Sequence, residues 1–426
     1  MRIGIYSGNL QVFSKLKPWN EEFVGKLLSR KWTLLSPETK VHQVIQRDKS
    51  HDCSIFLHTN PSFNDDSREM YEEDRYIYVV RDDLLHPLIN GNKARKLDGV
   101  LPLLEDCFVT DVVTCGGCQS AHTAAVAALC AERGIKSHLL LRGEQPEILT
   151  GYNLMSTIYG NVTYVPRSIY ANREEMLKSH AKLVAGKDDS VVWFGDIVEA
   201  STAGLSTSPT LAGKDASRNA GNNLRKILII NEGAADSVAL LGVIRLVQYL
   251  SGNHLLGRRA LKFVVDAGTG TTAIGLGLAA LCLGLPWEVY AVMLAETIDV
   301  YREKEERLIS EFKKHFNVPF IDHIVNKEDS RVVRWVERSR PRKFGRVLEG
   351  EIEACQQIAQ QTGILVDPVY TLAAWEMATC LCNEEAKGGS EVVMLHTGGS
   401  LGMFGLAQRH KNCFGTLRKD SAFINR

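Results

Sequence analysis

The chain has 426 residues, more than one ordinary hydrophobic core usually organises, so two domains are expected. Its 50 basic and 50 acidic residues cancel, and it has no basic block of the kind that binds nucleic acid or an anionic membrane surface. The longest apolar run, residues 273–285, is shorter than the ~18 residues that a membrane-spanning helix needs, so no such span is expected.

The amino-terminal segment differs in composition from the rest of the chain. Residues 1–20 contain Arg2, Lys15 and Lys17 and no acidic residue, which is typical of an organelle-import sequence, although an ordinary exposed chain end can look the same. The segment from there to Asp74 is mixed and polar. We interpret residues 1–74 as an N-terminal extension that wraps the body of the protein.

Beyond Arg75, strand-like apolar runs alternate with helical patterns, which indicates parallel sheets covered by helices. The first predicted strands are Tyr76–Val80, Asp111–Thr114 and Ser137–Leu141, with an alanine-rich helix over Ser120–Arg133. Between Glu199 and Asn223, small and polar residues dominate and the apolar periodicity disappears. This break predicts a long surface loop or a connection between domains.

The second half of the chain resumes the same alternation. Strands are predicted at Lys226–Ile230, Leu261–Asp266, within Gly363–Thr371 and at Val392–Leu395, with helices over Asp236–Leu250 and Ala273–Leu283. The last two strands each run into a turn, and ligands collect at the carboxyl ends of strands in open parallel sheets. Taken singly, Thr371 can instead cap a helix, Tyr370 can pack its ring, and His396 can be a hydrogen-bonded core residue.

Residues 91–97, Gly-Asn-Lys-Ala-Arg-Lys-Leu, contain a lysine at a cramped polar turn. Asn92 is a good helix cap, so Lys93 is expected in the first helical turn, at the positive end of the dipole, where an ammonium is disfavoured. Burial would act in the same direction, so the amine can hold an aldehyde cofactor as a Schiff base. Arg95 and Lys96 add positive potential suited to a phosphate, although a solvated helix start is the alternative.

A second candidate site follows the strand at Leu261–Asp266. The turn 268–272, Gly-Thr-Gly-Thr-Thr, precedes a helix, so its N–H groups, hydroxyls and helix dipole can form a cup for a phosphate. No lysine follows the turn as in a Walker loop, so nucleotide hydrolysis fits poorly. A tight turn without a ligand is the alternative.

Cys115 and Cys118 have the spacing of a metal or redox pair, and His122 is close by. The ten cysteines are otherwise spread along the chain, which is typical of free thiols in a reducing compartment. No convincing second half-site follows, so two small residues at a strand-to-helix turn are the alternative, and no metal is expected.

In chain order, the motifs GNKARKL, CGGCQSAHTAA, INEGA, DAGTGTT, ILVDPVYT and LHTGG resemble those of the pyridoxal-phosphate family of D-cysteine desulfhydrases and 1-aminocyclopropane-1-carboxylate (ACC) deaminases. The resemblance spans roughly Arg81 to Leu406. It implies an α/β fold of two open, twisted, mostly parallel sheets flanked by helices (fold type II), with pyridoxal 5'-phosphate in the cleft between domains. The domains are expected at 75–96 plus 206–426, the large cofactor-binding domain, and at 97–205, a smaller α/β domain.

The resemblance also implies roles for individual residues. Lys93 matches the Schiff-base lysine, Lys96 a basic residue near the phosphate, Ser120 a hydroxyl that assists proton transfer, and Tyr370 a tyrosine that reaches into the site. The implied substrate-binding residues are Gln119, Ser120 and His122. The implied phosphate cup consists of Gly268, Thr269, Gly270, Thr271 and Thr272.

Thr371 stands where ring-opening deaminases of the family typically carry a glutamate against the pyridine nitrogen. A hydroxyl stabilises the protonated ring less than a carboxylate does, so Thr371 favours elimination of hydrogen sulfide over opening of a cyclopropane ring. His122, where the deaminase pattern tends to have glutamine, favours the same branch. Ala121 replaces the usual asparagine that bonds the cofactor's ring oxygen, and Phe344 replaces a tyrosine, so two polar contacts are expected to be missing.

The resemblance predicts a pyridoxal-phosphate lyase that converts D-cysteine to hydrogen sulfide, pyruvate and ammonia, with Lys93 or Ser120 removing the α-proton. The alternatives are an ACC deaminase or another small-amino-acid deaminase or dehydratase, a cofactor-binding protein without turnover, and a zinc or redox module. A homodimer is expected by analogy with the family. Plant-type relatives with an extension suggest a mitochondrial location, with the cytoplasm as the alternative.

Overall fold

The computed structural model describes residues 21–49, 52–63, 75–89, 91–186, 190–197, 225–318, 331–384, 390–415 and 417. The predicted import sequence and the predicted loop between Glu199 and Asn223 lie outside the described residues. Among the helices of the described ranges, none has the length and apolar character required to cross a bilayer.

The strands are β1 (Val41–Lys49), β2 (Asp52–His58), β3 (Arg75–Val80), β4 (Asp111–Gly117), β5 (Lys136–Arg142), β6 (Asn161–Val165), β7 (Ser190–Trp193), β8 (Lys226–Ile229), β9 (Leu261–Ala267), β10 (Trp287–Met293), β11 (Arg334–Glu337) and β12 (Glu391–Leu395). The helices are α1 (Glu21–Leu28), α2 (Asn92–Asp98), α3 (Leu101–Asp106), α4 (Ala121–Ala131), α5 (Gly151–Tyr159), α6 (Arg167–Tyr170), α7 (Arg173–Val184), α8 (Ser237–Leu250), α9 (Thr271–Leu283), α10 (Ile298–Phe316), α11 (Glu351–Thr362), α12 (Thr371–Glu384), α13 (Gly402–Arg409) and α14 (Lys411–Gly415).

The larger sheet has the strand order β11-β10-β9-β12-β3-β1-β2. Its strands from β11 to β3 are parallel, whereas β1 and β2 form an antiparallel hairpin that pairs with β3 in the register Val44↔Ile77. Part of the predicted N-terminal extension is therefore integral to this sheet, because Val44 and Ile77 are both buried in the core.

The smaller sheet is wholly parallel, with the order β6-β5-β4-β8-β7. Strand β8 belongs to it, so the smaller domain reaches at least to Ile229 and the boundary expected after residue 205 was placed too early. Residues Ile227, Leu228 and Ile229 are completely buried. An apolar run of this kind suits either sheet, so its sequence does not show which one it joins.

The glycine-rich apolar run predicted as a helix forms α9, which is buried on all sides. A Cβ at Gly275 would lie 2.8 Å from the Val243 side chain of α8, and one at Gly277 would lie 2.3 Å from the Val332 carbonyl oxygen. These glycines let the helix approach its neighbours closely and bring its first turn, which follows β9, to the carboxyl edge of the larger sheet.

The strand predicted within Gly363–Thr371 does not form. Ile364 and Val366 are both buried, and this alternating pattern of buried residues suggested a strand. The backbone of the segment, however, forms hydrogen bonds with side chains and not with another strand. The Ile364 N–H donates to the Thr362 hydroxyl at 3.1 Å, and the Leu365 carbonyl lies 3.0 Å from Nε2 of His396. This extended segment brings Tyr370 and Thr371 to the same edge as the glycine-threonine turn.

Candidate active site

Loops at the carboxyl ends of both sheets meet around the lysine motif. The N–H of Asn92 donates to the carbonyl of Thr397, just beyond β12, at 3.1 Å. The amine of Lys96 donates to the carbonyl of Gly233, beyond β8, at 3.1 Å. The motif therefore lies where the two domains come together, as ligand sites do in open α/β sheets.

Lys93 lies in the first turn of α2, as predicted, but Asn92 does not cap the helix. The cap is Gly91, which has a φ of 79°. A Cβ at this position would lie 1.8 Å from the Thr397 carbonyl oxygen, so no side chain fits there. The Asn92 side chain instead accepts a 2.6 Å hydrogen bond from the Lys93 amine and donates to the Thr272 hydroxyl at 3.0 Å.

The electrostatics of Lys93 suit a nucleophilic amine. Burial lowers the pKa of Lys93 to about 8, and the nearby Asp266 carboxyl opposes that shift. The ratio of neutral to charged amine at a given pH is therefore roughly 300-fold higher than for an ordinary lysine. The side chain keeps partial contact with solvent, so a ligand can reach it.

Lys96 and Arg95, both predicted to add positive potential, have different surroundings. Lys96 is buried next to the turn, with its amine 3.4 Å from the Thr269 hydroxyl, and burial together with the charge of Lys93 lowers its pKa well below the usual value. Arg95 is equally buried but forms an ion pair with Asp82, at 2.9 Å. Because Asp82 neutralises it, Arg95 adds little potential to the site.

The five residues predicted as a phosphate cup, Gly268–Thr272, lie together at the start of α9. Gly270 is the helix cap, with a φ of 83°, and a Cβ there would lie 2.9 Å from the Trp335 ring. The first N–H groups of a helix have no carbonyl partner within the helix. With the hydroxyls of Thr269 and Thr271 3.1 Å apart and Lys96 alongside, the turn offers the donors and the charge that a phosphate needs.

Ser120 and Gln119 lie in the turn between β4 and α4. Ser120 is the helix cap, and its hydroxyl accepts a 3.3 Å hydrogen bond from the Thr123 N–H. The amide of Gln119 donates to the Thr150 carbonyl at 2.9 Å and accepts from the Tyr152 N–H at 3.0 Å. The Gln119 side chain therefore anchors the turn to the start of α5, which leaves its backbone as the part that can face a substrate.

Tyr370 reaches the cup, as predicted: its ring lies 3.3 Å from where a Cβ of Gly268 would be and packs edge-on against Phe344 at 5.5 Å. Burial raises the pKa of the Tyr370 phenol, so it stays protonated at physiological pH. The Thr371 hydroxyl is turned away to Asp367: it donates to the Asp367 carboxylate at 2.9 Å and accepts from the Asp367 N–H at 2.7 Å.

A family model described as pyridoxal-phosphate dependent enzyme matches residues 66–398. The chain belongs to this family. The predicted family resemblance, the pyridoxal 5'-phosphate cofactor and the enzyme class, a pyridoxal-phosphate-dependent lyase, are confirmed.

Named relatives agree with this assignment. The chain is 51% identical over 404 residues to a rice (Oryza sativa subsp. japonica) protein named "Putative D-cysteine desulfhydrase 2, mitochondrial". The aligned residues make up 92% of this chain and 95% of the relative. It is 24% identical to an Arabidopsis thaliana protein named "Bifunctional D-cysteine desulfhydrase/1-aminocyclopropane-1-carboxylate deaminase, mitochondrial", over 77% of this chain and 73% of the relative. A solved ACC deaminase homologue superposes with a TM-score of 0.61 at 23% identity, over 80% of this chain and 89% of that one, which confirms the predicted fold class.

The residues present fit pyridoxal phosphate. Gly268–Thr272 and Lys96 provide a phosphate cup, and Lys93 provides an amine of lowered pKa that is joined to the cup through Asn92. The carbonyl of Gly233 fixes Lys96 from the opposite domain. One connected network of hydrogen bonds therefore joins the reactive amine to the residues that would hold the phosphate.

His122 has a defined tautomer. The Thr114 hydroxyl donates to the Ile230 carbonyl at 2.8 Å, so it accepts from Nε2 of His122, at 2.9 Å. Burial, with the charges of Lys93 and Lys96, lowers the pKa of His122 to about 3, so the ring is neutral. Its Nδ1 is buried and has no hydrogen-bond partner among the described residues. The Nδ1 of the neutral ring is thus an acceptor, so His122 cannot replace the donor lost at Ala121.

Both cysteines of the zinc or dithiol alternative are thiols of raised pKa. Burial raises the pKa of Cys115 to about 12 and also raises that of Cys118, so both thiols stay protonated. The Cys118 thiol donates to the Arg142 carbonyl at 3.1 Å. The described part of the chain contains no group of three or more His, Cys, Asp or Glu side chains placed to hold a metal.

Two carboxylic acids of the site were not predicted from sequence. Asp266 is the second-last residue of β9, and Asp367 precedes α12; both are buried. The sequence feature that could have identified Asp266 is a single acidic residue directly after the apolar run Phe263–Val265. In a buried parallel strand, such an acid at the carboxyl end indicates a ligand site.

Proposed function

We propose that the protein is a D-cysteine desulfhydrase, which converts D-cysteine and water to hydrogen sulfide, pyruvate and ammonia. The observation that carries the proposal is the 51% identity, over 95% of its length, to the rice relative named for this activity. The site supports it, because an amine of lowered pKa is joined to the phosphate cup through Asn92, and the ring of a protonated tyrosine lies against the cup at Gly268.

Each side chain has a role that follows from its state. Pyridoxal phosphate, when bound, supplies an electron-withdrawing ring that acidifies the α-carbon of an amino acid. With the cofactor bound, the Lys93 amine would be the base that accepts the α-proton, which a pKa of about 8 allows near neutral pH. The phenol of Tyr370 stays protonated and so can donate a proton to the departing thiolate but cannot act as a base. The family resemblance supports a role for the hydroxyl of Ser120 and the backbone of Gln119 in orienting the substrate carboxylate.

The experiment is product analysis on the purified, cofactor-loaded enzyme. D-Cysteine, L-cysteine, D-serine and ACC are supplied separately, and sulfide, 2-oxo acid and ammonia are measured. Equal amounts of sulfide and pyruvate from D-cysteine support the proposal. Cofactor binding without sulfide release from D-cysteine refutes the proposal. The protein would then be a cofactor-binding protein without turnover, and the contacts missing at Ala121 and Phe344 would explain the lost activity.

ACC deamination is the second candidate function. The Arabidopsis relative is named for both activities, and a protein of Thermotoga maritima, named "Putative 1-aminocyclopropane-1-carboxylate deaminase", is 27% identical over 78% of this chain. Opening a carbon ring requires a strong electron sink, and the buried carboxyl of Asp266, two residues before the phosphate cup, is a candidate for that role. Formation of 2-oxobutanoate from ACC at a rate comparable to sulfide release would establish it.

We also propose a mitochondrial location. The rice and Arabidopsis relatives are both named mitochondrial, and residues 1–20 of this chain contain three basic residues and no acid. Expression of the full chain and of residues 21–426, each fused to a fluorescent protein, tests this: only the full chain is expected in mitochondria.

The active enzyme is proposed to be a homodimer, on the family resemblance alone. Light scattering on the purified protein tests this, with twice the chain mass of 47.3 kDa as the expected result.

A further inference from the structure

Asp266 is a carboxyl group with unused hydrogen-bonding capacity beside the cofactor site. It is 5% exposed and lies two residues before the phosphate cup. One oxygen accepts a 2.5 Å hydrogen bond from the Thr397 hydroxyl, and the carboxyl also accepts a hydrogen bond from its own backbone N–H, which leaves acceptor sites of the carboxylate unused. Burial, with the nearby Asp367 charge, raises the pKa of Asp266 to about 6, whereas the Thr397 hydrogen bond and Lys93 oppose that rise.

Thr371 and Asp367, the other polar groups at this edge, are already engaged. The single hydroxyl proton of Thr371 is donated to Asp367, so it is not available to a pyridine nitrogen. The Asp367 carboxylate accepts from the N–H groups of Val369, Tyr370 and Thr371 as well as from that hydroxyl. The Asp367 carboxylate has no acceptor site left, and Thr371 can offer a ring N–H only the remaining lone pair of a neutral hydroxyl, whereas Asp266 can offer a carboxylate oxygen.

The charge balance also favours a new partner for Asp266. Lys93 is the cation that opposes the rise in the pKa of Asp266, and Asp266 in turn acts on the pKa of Lys96. When Lys93 becomes covalently attached to the cofactor, its free ammonium is lost. A buried carboxylate left without a cation is costly, so a protonated ring nitrogen of the cofactor would restore the pairing.

We propose that Asp266 is the carboxylate that faces the ring nitrogen of bound pyridoxal phosphate. The family resemblance had implied that Thr371 occupies this position. The phosphate cup and Lys93 fix two ends of the cofactor, and Asp266 lies on the strand that leads directly into the cup. Thr397 orients the carboxylate through one oxygen and leaves the other for the ring nitrogen. Thr371 serves as a positioning residue for Asp367 and the start of α12.

The proposal changes what the site can do. A carboxylate at the ring nitrogen keeps the ring protonated and so makes it a strong electron sink. Thr371 then no longer disfavours opening of a cyclopropane ring. The inference rests on the family's cofactor and does not depend on D-cysteine being the substrate.

The test is a binding cycle with the cofactor-free protein. The dissociation constants of pyridoxal phosphate and of its 1-deaza analogue, in which carbon replaces the ring nitrogen, are measured for wild type, Asp266→Asn and the size-matched control Thr371→Val. We expect loss of the nitrogen to weaken binding about tenfold or more in wild type and in Thr371→Val, but less than about threefold in Asp266→Asn. An equal loss in wild type and Asp266→Asn, or an effect that disappears only in Thr371→Val, overturns the proposal.

A second readout can be decided on the wild type alone. With ring-¹⁵N-labelled cofactor, the nitrogen resonance of the wild type is expected in the pyridinium range at pH 8, and in the unprotonated range in Asp266→Asn. An unprotonated nitrogen in the wild type contradicts the proposal even if Asp266→Asn fails to fold. Neither readout involves turnover, so an absence of sulfide release would refute the proposed function without affecting this result.

Discussion

Asn92 accepts a 2.6 Å hydrogen bond from the amine of Lys93 through its side-chain oxygen, while its amide nitrogen donates to Thr272 in the phosphate cup. One side chain thus sets the distance between the reactive amine and the phosphate. We expect Asn92→Ala to weaken cofactor binding about tenfold, the value of one lost hydrogen bond, without preventing attachment at Lys93. Fluorescence titration of the cofactor-free protein measures this; unchanged affinity would contradict the role.

The lowered pKa of Lys93 predicts how cofactor attachment depends on pH. Only the neutral amine attacks an aldehyde, so the attachment rate should rise with pH and reach half its maximum near pH 8. Because Asp266 holds the pKa up, Asp266→Asn should move that midpoint to lower pH. Stopped-flow absorbance of the cofactor-free protein gives both curves, and a wild-type midpoint near the usual lysine value, about 10, would refute the assignment.

The cup requires glycine at position 270, and Gly350 provides a matched control. Both are helix caps, with φ of 83° and 82°, but a Cβ at Gly270 meets the Trp335 ring at 2.9 Å, whereas nothing lies within 4 Å of one at Gly350. Gly350→Ala should cost about 1 kcal/mol of unfolding free energy and leave cofactor affinity unchanged. Gly270→Ala should cost about 2–5 kcal/mol and reduce that affinity. Equal losses in urea unfolding would show that the ring contact is unimportant.

The buried ion pair of Arg95 and Asp82 makes a structural prediction. Asp82→Asn leaves the guanidinium buried without its counter-charge and should lower the unfolding free energy by about 3–5 kcal/mol. The double variant Asp82→Leu with Arg95→Met should lose much less, since it removes both charges. If Asp82→Asn were as stable as wild type in guanidinium unfolding, Arg95 would have to have another partner.

The local parts of the site were predictable from sequence. The lysine turn and the glycine-threonine cup are short segments whose chemistry follows from neighbouring residues, and both lie where the strand-to-turn pattern indicated. The helix starts and the buried strands beyond Arg75 were also mostly recognisable, because their apolar periodicity is local.

The parts that were missed depend on partners distant in the chain. Thr371 was expected to face the cofactor, but its hydroxyl is turned to Asp367, and Asp266 is oriented by Thr397 from a different strand. Arg95 was expected to add positive potential suited to a phosphate, but its guanidinium forms an ion pair with Asp82. No property of the local sequence reports such pairings, because only the folded sheets bring these segments together.

The central claim is that the nitrogen of Lys93 forms the covalent bond to the cofactor. The most direct measurement is borohydride reduction of the cofactor-loaded protein, followed by mass spectrometry of its peptides, with Lys96→Ala and Lys93→Ala as companions. We predict the adduct on Lys93 in wild type and in Lys96→Ala, and no adduct in Lys93→Ala. An adduct on Lys96 or on any other side chain of the wild type, or no adduct at all, would contradict the account.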